Sequence, residues 1–212
     1  MTYYFVGAVA IALLLWVIGS YVVVRSIEEP AYTVVERKDG YEIRQYAPHI
    51  VAKTTVSGDY SQATNQGFRL IADYIFGNNT SRESIAMTAP VLESPTSNPS
   101  EKIAMTVPVL ESLSGSATRT IAFVLPSKYT LETLPKPNNS AVILALIPAR
   151  TIAALTFTWY PTASRVEAKK ALLQNYLARD GKVMVGDIET ARYNPPLSMP
   201  LTLRNEILIP VE

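Results

Sequence analysis

Between Tyr3 and Val24 the chain carries no charged residue. Coiled as a helix, those 22 residues would reach roughly 33 Å, close to the ~30 Å hydrocarbon thickness of a bilayer. Tyr3, Tyr4 and Phe5 at one end and Tyr21 near the other suit the two interfacial aromatic belts, and Arg25 closes the run. A cleavable leader would need a basic start and a small-x-small exit. Met1-Thr2 has no basic side chain, and the segment leaves through Tyr-Val-Val-Val-Arg. A core helix would show one apolar stripe rather than an apolar circumference. The expectation is an uncleaved transmembrane helix over residues 1–25, a polar tether over 26–31 and a soluble domain over 32–212. Arg25, Arg37, Lys38 and Arg44 follow the span and only the terminal amine precedes it, which places the domain on the cytoplasmic side.

Within the domain one stretch is nearly repeated. Ile85-Ala-Met-Thr-Ala-Pro-Val-Leu-Glu-Ser94 returns as Ile103-Ala-Met-Thr-Val-Pro-Val-Leu-Glu-Ser112, nine of ten positions being identical, across a spacer of turn-formers and charges. This reads as two strands of a hairpin with an irregular loop. Both alternating sets of side chains are mostly apolar, so each strand can be covered on both faces, with Met87 and Met105 in the core. Pro90 and Pro108 cannot donate to a ladder and belong at edges or bulges.

Around it, periodicity gives an α+β order. Tyr32–Glu36 and Tyr41–Tyr46 are strands about an Asp39-Gly40 turn, and Ile50–Val56 is a third. A helix capped by Asp59 or Ser61 runs to about Phe76, with Gly67, Leu70, Ile71, Tyr74 and Ile75 on one face. Strands follow at Thr120–Leu125, Ala141–Ile147 and Thr151–Trp159. A second helix spans Thr162–Arg179, with Val166, Leu173 and Leu177 beside Leu172 and Tyr176, and strands at Asp187–Tyr193 and Asn205–Val211 close the chain. Leu70/Tyr74 and Leu172/Tyr176 occupy matching helix positions, which points to two β-α-β-β halves in one antiparallel sheet.

Several chemistries are excluded by composition. Without cysteine there are no disulfides, thiolate ligands or thiol nucleophiles, and a single histidine rules out His-rich metal sites. Nineteen basic and 18 acidic residues with no block of one sign argue against nucleic acid. No GxSxG, P-loop or GxGxxG is present, so the domain reads as non-catalytic. Glu28 and Glu29 in the tether need only solvation.

Six segments in order resemble the SOUL haem-binding protein family. They are Tyr41-Glu-Ile-Arg-Gln-Tyr46, Tyr74-Ile-Phe-Gly-Asn78, the Ile-x-Met-Thr-x-Pro-Val motif, Phe123-Val-Leu-Pro-Ser-Lys-Tyr129, Pro135-Lys-Pro137, and Tyr193-Asn-Pro-Pro with Arg204-Asn-Glu-Ile-Leu-Ile209. The resemblance implies two β-α-β-β repeats forming a curved antiparallel sheet or open barrel with two packed helices. It implies a monomer that holds haem or another tetrapyrrole non-covalently, as carrier, buffer or scavenger. The implied groove lies between the first helix and the loop before the last strand, here Gln66–Ile75 and Asn194–Arg204. Phe68, Ala72, Leu197 and Met199 would form its apolar slot, and Arg69 and Arg204 would meet the propionates. Phe68 could equally serve the core, and Arg204 could pair with Glu206. One branch of the family carries a proposed iron-ligating histidine inside the first motif, at the position of Gln45 here. His49 is the remaining imidazole for axial ligation; a histidine before a strand is otherwise a surface or hydrogen-bonded residue. Two other readings suit the same shape: a module for a different small apolar ligand, or a groove for a partner peptide.

Overall fold

The computed structural model describes residues 2–25, 27–81, 85, 88–95, 118–194 and 198–212; the side chains of residues 2, 10, 12–14, 21–25, 60 and 95 fall outside that description. Helix α1 runs Thr2–Arg25. Among the described residues no helix is long and apolar enough to cross a membrane, so the fold does not itself establish the expected span.

Nine strands follow: β1 (Tyr32–Lys38), β2 (Tyr41–Tyr46), β3 (His49–Ser57), β4 (Val91–Pro95), β5 (Thr118–Val124), β6 (Ile143–Ile147), β7 (Arg150–Phe157), β8 (Glu189–Arg192) and β9 (Asn205–Pro210). Helix α2 (Tyr60–Ile75) lies between β3 and β4, and α3 (Ala163–Arg179) between β7 and β8. The strands form one curved antiparallel sheet ordered β1-β2-β7-β9-β8-β4-β5-β3-β6. Gly40, at φ 92°, makes the tight β1–β2 turn, a backbone region that side chains resist.

Both helices start where the sequence says. The Asp59 carboxylate accepts the Gln62 N–H at 2.8 Å, and the Thr162 hydroxyl caps α3, each satisfying an orphan donor of the first turn. α2 buries Ala63, Ile71, Tyr74 and Ile75 against Ala52, Ile121 and Phe123. Gly67 lets it approach so closely that a Cβ there would lie 2.5 Å from Ile121 Cγ1. α3 buries Val166, Leu173 and Leu177 against Ala153, Leu155, Ile207 and Ile209. The opposite face of the sheet gathers Val51, Leu92, Val124, Ile152, Leu208 and their neighbours. Strands covered on both faces explain the near-continuous apolar wording of β5, β7 and β9.

Two expectations change. Met87, expected in the core, and the second copy at residues 103–112 with Met105 lie outside the described residues. Among the described residues of the first copy only Val91–Ser94 is strand, as part of β4, starting just after Pro90, whose missing N–H would interrupt a ladder. Val91, Leu92 and Glu93 have β5 on one side and β8 on the other. Neither edge is left there for a hairpin partner. The tether carboxylates, expected only to be solvated, are also engaged: Glu28 accepts the Ser127 N–H at 2.8 Å, and Glu29 receives Arg204 Nη1 at 2.9 Å.

A candidate ligand cleft beside α2

On the helix-bearing face, where central strands β4 and β8 meet, a cleft of about 370 Å³ opens between α2 and the chain entering α3. Thr64, Asn65 and Phe68 come from α2, Val91 and Glu93 from β4, and Tyr160 and Pro161 from the approach to α3. Arg192, Asn194, Ser198, Leu203 and Asn205 complete it from β8, the following loop and β9. The first helix and the loop before the last strand therefore do converge, at the N-terminal half of the helix.

Phe68 serves both roles weighed for it. Its ring stands edge-on to Phe123 at 5.2 Å and packs against the α2 core, while another part lines the cleft. The other named residues sit elsewhere. Ala72 is buried. Arg69 borders a separate depression with Ser61, Gln62 and Gln66. Met199 precedes a 3-10 turn, Pro200–Thr202, and Leu197 lies outside the described residues. Arg204 stacks its guanidinium 3.9 Å from the Tyr193 ring centre and pairs with Glu29 and Glu206.

Glu93, Arg192, Tyr160 and Asn205 are the polar and aromatic lining that the sequence did not single out. Glu93 is 3% exposed, with Arg192 Nη2 3.0 Å from its Oε1. Burial pushes its carboxyl pKa upward, against the opposing pull of Arg192 and Arg119. A signal existed: Glu93 is the one acid inside an apolar strand segment, Val91-Leu92-Glu93, and such an acid needs a partner. The loop is tied by Asn194, whose Oδ1 accepts the Arg204 N–H at 2.6 Å and whose Nδ2 donates to Thr202 O at 3.3 Å.

Beneath the other face Glu206, fully buried, anchors β9. It accepts Arg44 Nη1 and Nη2 at 2.9 and 3.2 Å, the Tyr193 hydroxyl at 2.7 Å, the Thr156 hydroxyl at 3.1 Å and Arg204 Nε at 3.2 Å. Burial alone would raise its pKa; Arg44 and Arg204 outweigh that and hold it below the usual carboxylate range.

His49 lines a different cavity of about 530 Å³ under the tether, sharing no lining residue with the α2 cleft. Its Nδ1 is 3.0 Å from Ala47 O, and burial lowers its pKa. Among the described residues no group of His, Asp or Glu side chains is placed to hold a metal ion.

A curved antiparallel sheet with two helices on one face and a cleft of about 370 Å³ beside α2 defines an α+β domain with room for a small molecule. The family is more specific. The chain belongs to the SOUL heme-binding protein family, whose model matches residues 27–210. It is 29% identical to human (Homo sapiens) heme-binding protein 2 over 191 residues, covering 86% of this chain and 85% of that protein. The mouse (Mus musculus) protein of the same name is 27% identical over the same length. The C-terminal domain of EcmrR superposes with a TM-score of 0.58 at 13% identity, covering 85% of this chain and 98% of that one. At that identity the likeness is one of fold.

Proposed function

We propose that this chain is a membrane-anchored tetrapyrrole-binding protein that holds haem non-covalently in the α2 cleft, as carrier, buffer or scavenger and without catalysing a reaction. One observation carries the reading: two family-matched regions, α2 and the stretch from Tyr193 to Arg204, meet at a cleft that combines apolar and cationic groups. The residues suit the group. Phe68, Val91, Leu203 and the Tyr160 ring offer apolar faces to a flat macrocycle, and Arg192 offers a cation to a propionate. A volume of about 370 Å³ is near the lower end of the ~300–1,000 Å³ usual for ligand sites, so a porphyrin would enter by one edge. The described lining includes neither imidazole nor thioether, which supports holding by contact over ligation by His49.

The anchor part rests on α1. Its described apolar side chains are largely uncovered, Tyr3, Tyr4 and Phe5 by 91%, 87% and 71% and Ile11 and Leu15 by more than half. Apolar side chains left uncovered along a helix are favoured in hydrocarbon and costly in water, which supports an anchor. The element runs β3-α2-β4-β5 and β7-α3-β8-β9, with β4 and β8 adjacent at the sheet centre, support reading the domain as two β-α-β-β repeats.

Haem titration tests the ligand. Wild type should saturate at one equivalent with a sharp shifted Soret band, Phe68→Asp and Tyr160→Asp should weaken binding more than tenfold, and His49→Ala should change it little. Loss of binding in His49→Ala alone would move the site to the tether cavity. No saturable uptake by wild type would favour the other small apolar ligand. Resistance to alkaline carbonate extraction tests the anchor.

A further inference from the structure

Trp159 is the one described non-glycine residue with positive φ, at 72°, a conformation that bulky side chains avoid. Its backbone is held there from both sides. The Trp159 N–H donates to Pro200 O at 3.1 Å, and its carbonyl accepts Asn205 Nδ2 at 2.9 Å from a buried asparagine. This clamp does not bury the indole. Trp159 stays 47% exposed, beside Tyr160 at 55% and Leu201 at 56%. A strained, doubly clamped backbone that turns aromatic rings outward has no explanation in packing. Trp159 is also absent from the cleft lining.

The same corner touches α1. The Met199 N–H, at the head of the Pro200–Thr202 turn, donates to Ser20 Oγ at 3.1 Å, and Ser20 is 8% exposed. Ser20 stands five residues before Arg25, about 7.5 Å along the helix axis. The headgroup layer of one leaflet is only about 5–7 Å thick. If α1 spans the bilayer with hydrocarbon ending near Ser20, within the ~17–25 residues that a span takes, a turn hydrogen-bonded at Ser20 lies at the edge of the acyl region. Leu201, Trp159 and Tyr160 then stand at the depth that Trp and Tyr prefer. Arg165, which donates to Tyr160 O, brings a cation to the level of lipid phosphates.

We infer that Trp159, Tyr160 and Leu201 form a seat for the lipid interface, which presses the mouth of the α2 cleft against the bilayer that its own anchor spans. The occupant is a phospholipid surface, with acyl chain against Leu201 and headgroup against the rings. Tyr160 belongs to both seat and cleft, so ligand would enter from the membrane surface, where apolar macrocycles accumulate, and not from bulk water. This inference rests on the anchor reading, and the two can fail separately.

The chain's two tryptophans, Trp16 and Trp159, report on the two claims. Full-length Trp16→Phe and Trp159→Phe proteins are reconstituted into phosphatidylcholine vesicles containing lipids brominated at shallow or deep acyl positions. With Trp159 as reporter, emission should shift to the blue, and shallow bromines should quench about twofold more than deep ones. With Trp16 as reporter, nine residues or about 13.5 Å before Arg25, the preference should reverse. Deep quenching of Trp16 with a water-exposed, unquenched Trp159 overturns the seat and leaves the anchor. Quenching of Trp159 alone keeps the seat and removes the anchor. Quenching of neither removes both. A Trp159 shielded from acrylamide yet untouched by bromolipid is covered by protein, which overturns the seat in favour of a partner chain.

Discussion

Replacing Glu206 by Gln keeps the shape of the side chain and removes one charge from the most buried ionic cluster of the domain. Arg44, 3% exposed, would keep Glu42 at 2.8 Å and the Tyr32 ring at 4.5 Å, but would lose the only fully buried carboxylate facing it among the described residues. The new amide would also point a donor at groups that donate: Arg44, Arg204, Tyr193 and Thr156. Breaking a buried pair from one side costs about 3–5 kcal/mol, chiefly from the stranded charge. The surviving Glu42 contact favours the lower end. At about 2–4 °C per kcal/mol for a domain of this size, Tm should fall by roughly 6–20 °C at pH 7. The pH dependence has a definite sign. The Glu206 pKa is depressed in the fold, so its contribution is present above the unfolded value near 4.5 and is lost as pH falls through the folded value. Glu206→Gln lacks this dependence, so its melting curve should approach wild type below pH 4.5. The Arg44→Met/Glu206→Leu double variant, which strands no charge, should recover most of the loss. Thermal melts of the full chain in detergent, followed by near-ultraviolet circular dichroism, measure all three. A Glu206→Gln Tm within about 2 °C of wild type at pH 7 would refute the reasoning, because the cluster would then be screened like a surface pair.

Gly67→Ala should destabilise by about 1–3 kcal/mol in the same melts, because the added Cβ meets branched Ile121 at 2.5 Å and α2 must move. Glu93 behaves oppositely to Glu206. Its pKa is raised in the fold, so the protonated form is favoured and stability is lost as pH rises through the folded value. Glu93→Gln should therefore be neutral or stabilising at pH 7, with the gain vanishing below pH 4; a Tm drop of more than about 4 °C at pH 7 would show that the Arg192 pair outweighs the burial. Arg192→Gln should weaken haem binding severalfold in titrations, with salt reducing the difference between variant and wild type, if Arg192 meets a propionate.

The sequence by itself determined the elements and the family. Asp59 and Thr162 mark helix starts because side-chain oxygens cap only the residues just after them, and Asp39-Gly40 marks a turn because glycine tolerates the φ required. Buried faces of the helices followed from periodicity, which is a local property. What periodicity cannot supply is the neighbour. Whether Val91–Glu93 pairs with its own near-copy or with β5 and β8 depends on contacts about 30 and 100 residues away, and an apolar strand is equally willing in either place. The site divides the same way. Phe68 and the loop after β8 were legible because the groove that the resemblance implies runs along Gln66–Ile75 and Asn194–Arg204. The company they keep was not. Arg204, weighed in sequence for a propionate or for Glu206, pairs with Glu206 and also with the distant Glu29, a partner that only the tertiary structure supplies. Glu93, Arg192 and Tyr160 come from three distant segments, and only the closing of the sheet between β4 and β8 puts them around one cleft.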